Sequence, residues 1–175
     1  MGIRVLRAAL GAALLALPYM VPALAQSDDA RDARPVVPDL IFADGSNQPA
    51  HLNRYLGQLV IVNFWASWCG PCIKELVFLD RLQGDFARQP LVVLAISEDK
   101  DGIPAARQFL TRQKLTYLKP LADPGGAMAR AAAVQGLPTS LIIDRQGRLL
   151  MKLEGPYEWD NPQIVVRLRQ WLAER

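Results

Sequence analysis

Apolar and polar positions alternate between two periods along this chain, and the switches mark its elements. Leu59-Val60-Ile61-Val62-Asn63-Phe64-Trp65 is a β-rich, almost wholly apolar run, which predicts a strand buried on both faces. From Pro71 to Ala87 the apolar residues Ile73, Leu76, Val77, Leu79 and Leu82 recur at helical spacing. Leu91–Ile96 predicts a second buried strand, and Ile103–Gln113 a second helix with Pro104 in its first turn. A short extended piece is expected over Tyr117–Ala122 and an alanine-rich helix over Gly126–Val134. Thr139–Ile143 and Arg148–Glu154 are strands joined by the turn residues Asp144-Arg145-Gln146-Gly147. Asp160 or Asn161 caps a last helix, with Pro162 first and Gln163–Ala173 as its body. Ahead of these, Val36–Phe42 reads as extended, Asp44-Gly45 as a turn and Leu52–Leu56 as a short helical turn. The early strand–helix–strand alternation calls for a parallel βαβ unit, to which the late hairpin adds an antiparallel pair. The predicted class is α/β, a central mixed sheet flanked by helices.

The first residues follow a different pattern. Arg4 and Arg7 precede the apolar run Ala8–Leu17, and Ala23-Leu24-Ala25 is a small-x-small cleavage signal before Gln26. Residues 1–25 are therefore expected to be an export signal. The competing reading is an uncleaved membrane anchor, against which Pro18 and Pro22 interrupt the run. The polar stretch 26–34 reads as a flexible lead-in and 35–175 as the folded domain. Losing Arg4 and Arg7 lowers the formal charge from +3 to +1. The remaining basic residues are dispersed among acids, which argues against a nucleic-acid surface. His51, the lone histidine, is expected at the surface, and Arg145, Arg148 and Lys152 on a solvated sheet edge.

The chain has 2 cysteines, Cys69 and Cys72, three positions apart. A staple across so short a loop yields only about 2 kcal/mol, so the pair points to reactivity. It sits in Trp68-Cys69-Gly70-Pro71-Cys72, between the buried strand and the amphipathic helix. Cys69 falls at the helix start, where unpaired N–H groups and the dipole favour an anion. Cys72 lies one turn on, within reach of a mixed disulfide at Cys69. A thiol whose pKa drops from about 8.5 to about 7 gains roughly sixteenfold in thiolate at pH 7. It loses roughly fivefold in nucleophilicity, a net of only about threefold. The larger advantage is that resolution by Cys72 is intramolecular. A closed zinc site needs about four ligands, more than two cysteines and one histidine supply. Two thiolates alone suit Cu(I), so a copper-carrying module is the alternative reading.

Val62-Asn63-Phe64-Trp65-Ala66-Ser67-Trp68-Cys69-Gly70-Pro71-Cys72 resembles the active-site segment of thioredoxins. Asn63, Glu75 and the later Gly136-Leu137-Pro138-Thr139 with Leu141-Ile142-Ile143-Asp144 resemble the TlpA/ResA-like periplasmic branch, over about residues 35–174. The resemblance implies a thioredoxin fold with that branch's N-terminal extension and central helix insertion. It implies a thiol–disulfide oxidoreductase with no cofactor beyond a redox-active Cys69–Cys72 disulfide and no metal. Cys69 would attack and Cys72 resolve. Pro138 would be a cis-proline against the disulfide, and Leu137 would offer its backbone to an extended client. Trp68, with Gly70 and Pro71, would contact substrate; the alternative for Trp68 is plain packing.

Asn63 stands where cytosolic thioredoxins carry a buried Asp. Glu75 is then the nearby carboxylate, either accepting the Cys72 proton or raising a thiol pKa by repulsion; the alternative is a solvated helix residue. Relatives commonly have proline where this chain has Val77, so a straighter helix is expected. The resemblance further implies a periplasmic monomer that reduces protein disulfides, recharged by a membrane electron conduit of the DsbD or CcdA kind. Its clients would be apocytochrome c or copper-protein thiols. A thiol peroxidase ranks last, because its typical motif has a single peroxidatic cysteine in another setting.

Overall fold

The computed structural model describes residues 33–174. The expected export signal, its cleavage point and all but the last two residues of the lead-in lie outside them. No helix among the described residues is long and apolar enough to cross a membrane.

Seven strands form one mixed sheet: β1 (Ile41–Ala43), β2 (Pro49–His51), β3 (Leu59–Trp65), β4 (Leu91–Ser97), β5 (Leu121–Ala122), β6 (Thr139–Ile143) and β7 (Leu149–Glu154). Among the described residues four α-helices accompany them: α1 (Gly70–Asp85), α2 (Gly102–Arg112), α3 (Ala127–Ala131) and α4 (Pro162–Ala173). The sheet order is β2-β1-β5-β4-β3-β6-β7. β3 and β4 run parallel, as a strand–helix–strand unit requires, and β6 and β7 add the antiparallel hairpin on the other side of β3. This is the mixed α/β sheet that the sequence pattern predicts, in the thioredoxin-type arrangement that the resemblance implies, with β1, β2 and the 3-10 turn at Leu52–Tyr55 as the N-terminal extension.

β3 is the centre of the molecule, and all seven of its residues are buried. Strand alternation splits it between two cores. Leu59, Ile61 and Trp65 face α1, α2 and α4, packing with Leu76, Leu79, Phe109, Ile164 and Leu168. Val60, Val62 and Phe64 face the N-terminal hairpin and α3, with Phe42, Leu52, Met128, Leu141 and Ile143. The same alternation turns Asn63 toward α1, a polar residue 1% exposed in an apolar layer.

Several elements are shorter than their sequence pattern predicts, each for a local reason. The extended piece at Tyr117–Ala122 contracts to β5. The amides of Tyr117 and Leu118 are taken at 2.8 and 2.9 Å by Oδ1 of buried Asp80, not by a strand. The helix expected to run to Val134 stops at Ala131, because Ala133 adopts φ +52° and Val134 N–H returns to the Ala129 carbonyl. In 36–42 only Val36 makes a bridge, to Arg148, before β1 begins; Pro35 and Pro38 lack the donors a ladder needs. The sequence pattern missed β2, whose first residue is Pro49, a position where proline costs a strand nothing. α1 is one uninterrupted helix through Val77.

The basic residues near the hairpin are not simply solvated. Arg145 donates to the Gly57 carbonyl, and Lys152 reaches the Ala133 carbonyl at 2.7 Å and Glu154 at 3.0 Å. His51 is exposed as expected, with its Nδ1 2.7 Å from Asp39.

Candidate functional site

The chain leaves β3 at Trp65, crosses Ala66–Trp68 and enters α1. Cys69 is the residue that caps the helix: its backbone is extended, and its Sγ accepts the Cys72 backbone N–H at 3.3 Å. Pro71 occupies the first turn, where its missing N–H removes no helical bond. The connecting loop is held from below by Asp99, whose carboxylate accepts the Ser67 N–H at 3.0 and 3.2 Å and its hydroxyl at 2.8 Å. A further hydroxyl, from Ser97, reaches the same carboxylate at 2.8 Å.

Cys69 and Cys72 form a disulfide with S–S 2.02 Å and Cα–Cα 5.3 Å. The two sulfurs are not equivalent, since Cys69 retains 7% exposure and Cys72 only 1%. Around them the surface is open: Gly70 and Pro71 are exposed, and Trp68 is 73% exposed. Trp68 is thus not a core residue. Two open clefts flank the motif. One, of about 610 Å³, is lined by Gly70, Pro71, Lys74, Glu75, Phe78 and the Pro156–Glu158 segment. The other, of about 450 Å³, is lined by Ser67, Trp68, Asp99, Lys100, Gln108 and Arg112.

The antiparallel pairing of β6 with β3 places Thr139 opposite Phe64, so the residues before β6 fall at the sheet end where Cys69 lies. There the Leu137–Pro138 peptide bond is cis. Two bonds frame it: Thr139 Oγ1 donates to the Gly136 carbonyl at 2.7 Å, and Gly155 N–H to the Pro138 carbonyl at 2.9 Å. Pro138 is buried, and Leu137 is half-buried against the core layer that contains both cysteines.

Glu75 is 3% exposed, which rules out a solvated helix residue. It lies one turn beyond Cys72 on the same face of α1. Its Oε1 accepts the Trp159 indole N–H at 2.6 Å, the Asn63 amide at 3.2 Å and the Ser140 hydroxyl at 3.4 Å. Asn63 also donates to Ser140 Oγ at 2.9 Å, its cross-strand partner in the β3–β6 register. Burial raises the Glu75 pKa above the ordinary carboxylate range, against the hydrogen bonds from Trp159, the Tyr157 backbone and Ser140, which favour the charged form. Oε2 of Glu75 and Oδ1 of Asn63 are buried without hydrogen-bond partners.

Sequence reasoning missed Ser140 and Trp159. Ser140 carried a signal, being polar inside the apolar run Thr139–Ile143 on the residue paired with Asn63. Trp159 carried only the general rule that a buried indole seeks an acceptor. A second carboxylate, Glu98 at the end of β4, is pushed up to about 7, first by burial and then by Asp123, with Arg130 opposing. Among the described residues no group of three or more His, Cys, Asp or Glu side chains is placed to hold a metal ion.

A protein-family model described as Redoxin matches residues 30–164. The chain belongs to the Redoxin family. It is 29% identical over 119 residues to the thiol–disulfide oxidoreductase ResA of Bacillus thuringiensis subsp. konkukian, covering 67% of each chain. It is 35% identical over 104 residues to the thiol:disulfide interchange protein HelX of Rhodobacter capsulatus, covering 59% of this chain and 56% of HelX. Among solved structures, a protein assigned as the thiol:disulfide interchange protein DsbE of Chlorobium tepidum superposes with a TM-score of 0.70 at 27% identity. That match covers 80% of this chain and 97% of the other. The resemblance to the ResA branch therefore holds, and this Redoxin-family chain is a thiol–disulfide oxidoreductase with a redox-active cysteine pair.

Proposed function

We propose that the protein is an exported disulfide reductase of other proteins, with Cys69 as nucleophile and Cys72 as resolving thiol. The observation that carries this reading is the asymmetry of the pair. One sulfur caps a helix between the exposed Trp68, Gly70 and Pro71 and keeps 7% exposure, and the other, at 1%, is buried one turn from a buried carboxylate.

In the forward direction the Cys69 thiolate, stabilised by the first N–H groups of α1, attacks one sulfur of a client disulfide. A Cys69–client bond forms and the client's other sulfur leaves as a thiolate. Cys72 then gives its proton to Glu75 and attacks Cys69 Sγ. The Cys69–Cys72 bond forms, the client's second sulfur leaves as a thiolate, and the client has gained two electrons. A dithiol donor restores the reduced protein by the reverse exchange. The buried Glu75, with its pKa above the usual range, is suited to this proton, because a base works best when its pKa lies near the operating pH. Leu137 lends its backbone to an extended client segment against Pro138, and Trp68 with Gly70 and Pro71 supplies the contact surface.

Residues 1–25 act as the export signal, the site of action is the periplasm, and the protein works as a monomer. The donor is a membrane conduit of the DsbD or CcdA kind, and the clients are thiols of apocytochrome c or of copper proteins. The similarity to ResA, HelX and DsbE supports these assignments. The test is Cys72→Ser, which retains the nucleophile and removes the resolving thiol. It should stall as a mixed disulfide through Cys69 with a disulfide-bonded client, while wild type turns over under strict chelation of copper. Absence of any adduct while Cys69 remains alkylatable would refute the order of attack. Turnover that requires copper would favour the metal-carrying alternative.

A further inference from the structure

Glu75 is held with its two oxygens in opposite circumstances. Oε1 receives three donors from three separate elements: Trp159 from the β7–α4 connection, Asn63 from β3 and Ser140 from β6. The shortest is the indole, at 2.6 Å. Oε2 is equally buried and has no hydrogen-bond partner. The Tyr157 backbone lies close enough to favour the charged form as well. A carboxylate accepts a new proton at the oxygen whose lone pairs are unspent, since protonating Oε1 would weaken the bond from the buried Trp159 indole, whose single N–H is spent on that oxygen.

We propose that Trp159 is a positioning residue for the resolving step: its indole N–H pins Oε1 of Glu75 and so leaves Oε2 as the atom that takes the Cys72 proton. Trp159 is 1% exposed, wedged edge-on against Tyr157 at a ring separation of 5.2 Å, and stands two residues before the Asn161 cap of α4. The Gly155–Asn161 connection is tied at its start to Pro138 through the Gly155 N–H. The indole therefore belongs to a segment that joins the cis-proline loop to the carboxylate. The titratable and charged groups around Glu75 are Cys72 and Lys74 on its own helix and Tyr157 and Glu158 across the cleft. β3 and β6 present only the neutral Asn63 and Ser140.

The inference rests on the reading of Glu75 as the proton acceptor, and the experiment separates the two. Reduced protein is mixed with dithionitrobenzoate, and release of the second nitrothiobenzoate reports attack by Cys72 on Cys69. The rate is followed against pH for wild type, Trp159→Phe and Glu75→Gln. In parallel, the indole ¹⁵N–¹H signals of the 4 tryptophans are titrated in wild type and in Glu75→Gln. Loss of a hydrogen bond to the charged form should move the acid limb in Trp159→Phe upward by about one pH unit. Below that limb its rate should be about tenfold lower, with the alkaline plateau retained. The wild-type Trp159 signal should titrate with the same midpoint as the acid limb, and Glu75→Gln should abolish that titration.

A pH-independent Trp159 signal overturns the proposal, as does a Trp159→Phe rate lowered equally at every pH, which is the mark of a merely structural role. If Trp159→Phe does not fold, the wild-type titration decides alone. If Glu75→Gln leaves the rate and its pH profile unchanged, the base reading itself fails, and the inference with it.

Discussion

Reduction of the Cys69–Cys72 bond removes the covalent closure of a loop of about four residues. The chain-entropy relation assigns such a loop about 2 kcal/mol of stabilisation. Reduction returns part of this, because the freed Cys69 thiolate stands at the start of a 16-residue helix, facing the Cys72 N–H that lies 3.3 Å from its sulfur in the disulfide form. A charge at a helix terminus is worth about 0.3–1 kcal/mol. The oxidised protein should thus be more stable than the reduced one by about 1–1.5 kcal/mol. By linkage, the folded pair should then be harder to reduce than the same dithiol in the unfolded chain, by about 20–30 mV. That is the sense required of a protein that gives electrons away, and it is opposite to a strong oxidant, whose reduced form is the more stable one. Urea unfolding of both forms at pH 7, under conditions that keep the reduced form reduced, measures the difference directly. A thermal midpoint about 4 °C higher for the oxidised form would agree with it. A reduced form more stable by 1 kcal/mol or more would refute the reasoning and turn the direction of the proposed reaction around.

Three further outcomes are expected. Glu98 has its pKa raised from 4.5 to about 7, so the folded state binds the extra proton between those values and stability falls as pH rises through them. Glu98→Gln should therefore match wild type at pH 4 and exceed it by about 1–2 kcal/mol at pH 8, after allowance for solvent screening; equal stability at both pH values would contradict the raised pKa. Asp99→Ala strands the Ser67 amide and hydroxyl beneath the active-site loop and should cost about 2 kcal/mol in chemical unfolding, with an unchanged midpoint counting against the clamp. Trp68→Ala removes a side chain that is 73% exposed, so stability should stay within about 0.5 kcal/mol of wild type while KM for a protein client rises; a large loss of stability would mean that Trp68 packs rather than binds.

The parts of the molecule that follow from periodicity were open to sequence reasoning. β3, β4 and the β6–β7 hairpin are long apolar runs with turn residues between them, and α1 shows its spacing from Ile73 to Leu82. The cysteine pair, Glu75 and the Leu137–Pro138 step were legible through motifs that name their own neighbours. What escaped depends on contacts between distant segments. Trp159 meets Glu75 across 84 positions, and Ser140 meets Asn63 across 77, so nothing local records either bond. The burial of Glu75 is of the same kind: its helical position is neutral in sequence, and only the β6 edge and the Gly155–Asn161 connection close over it. The contraction of Tyr117–Ala122 likewise has its cause in Asp80, which lies on another element.

All of the proposed chemistry depends on Cys69 being the reactive sulfur and Cys72 the shielded one. Freshly reduced protein, treated briefly with iodoacetamide at pH 7 and read by peptide mass spectrometry, gives the two labelling rates in one experiment. With 7% exposure and a helix start beneath it, Cys69 should be labelled at least about tenfold faster than Cys72 at 1%. Equal rates, or faster labelling of Cys72, would contradict the division of roles.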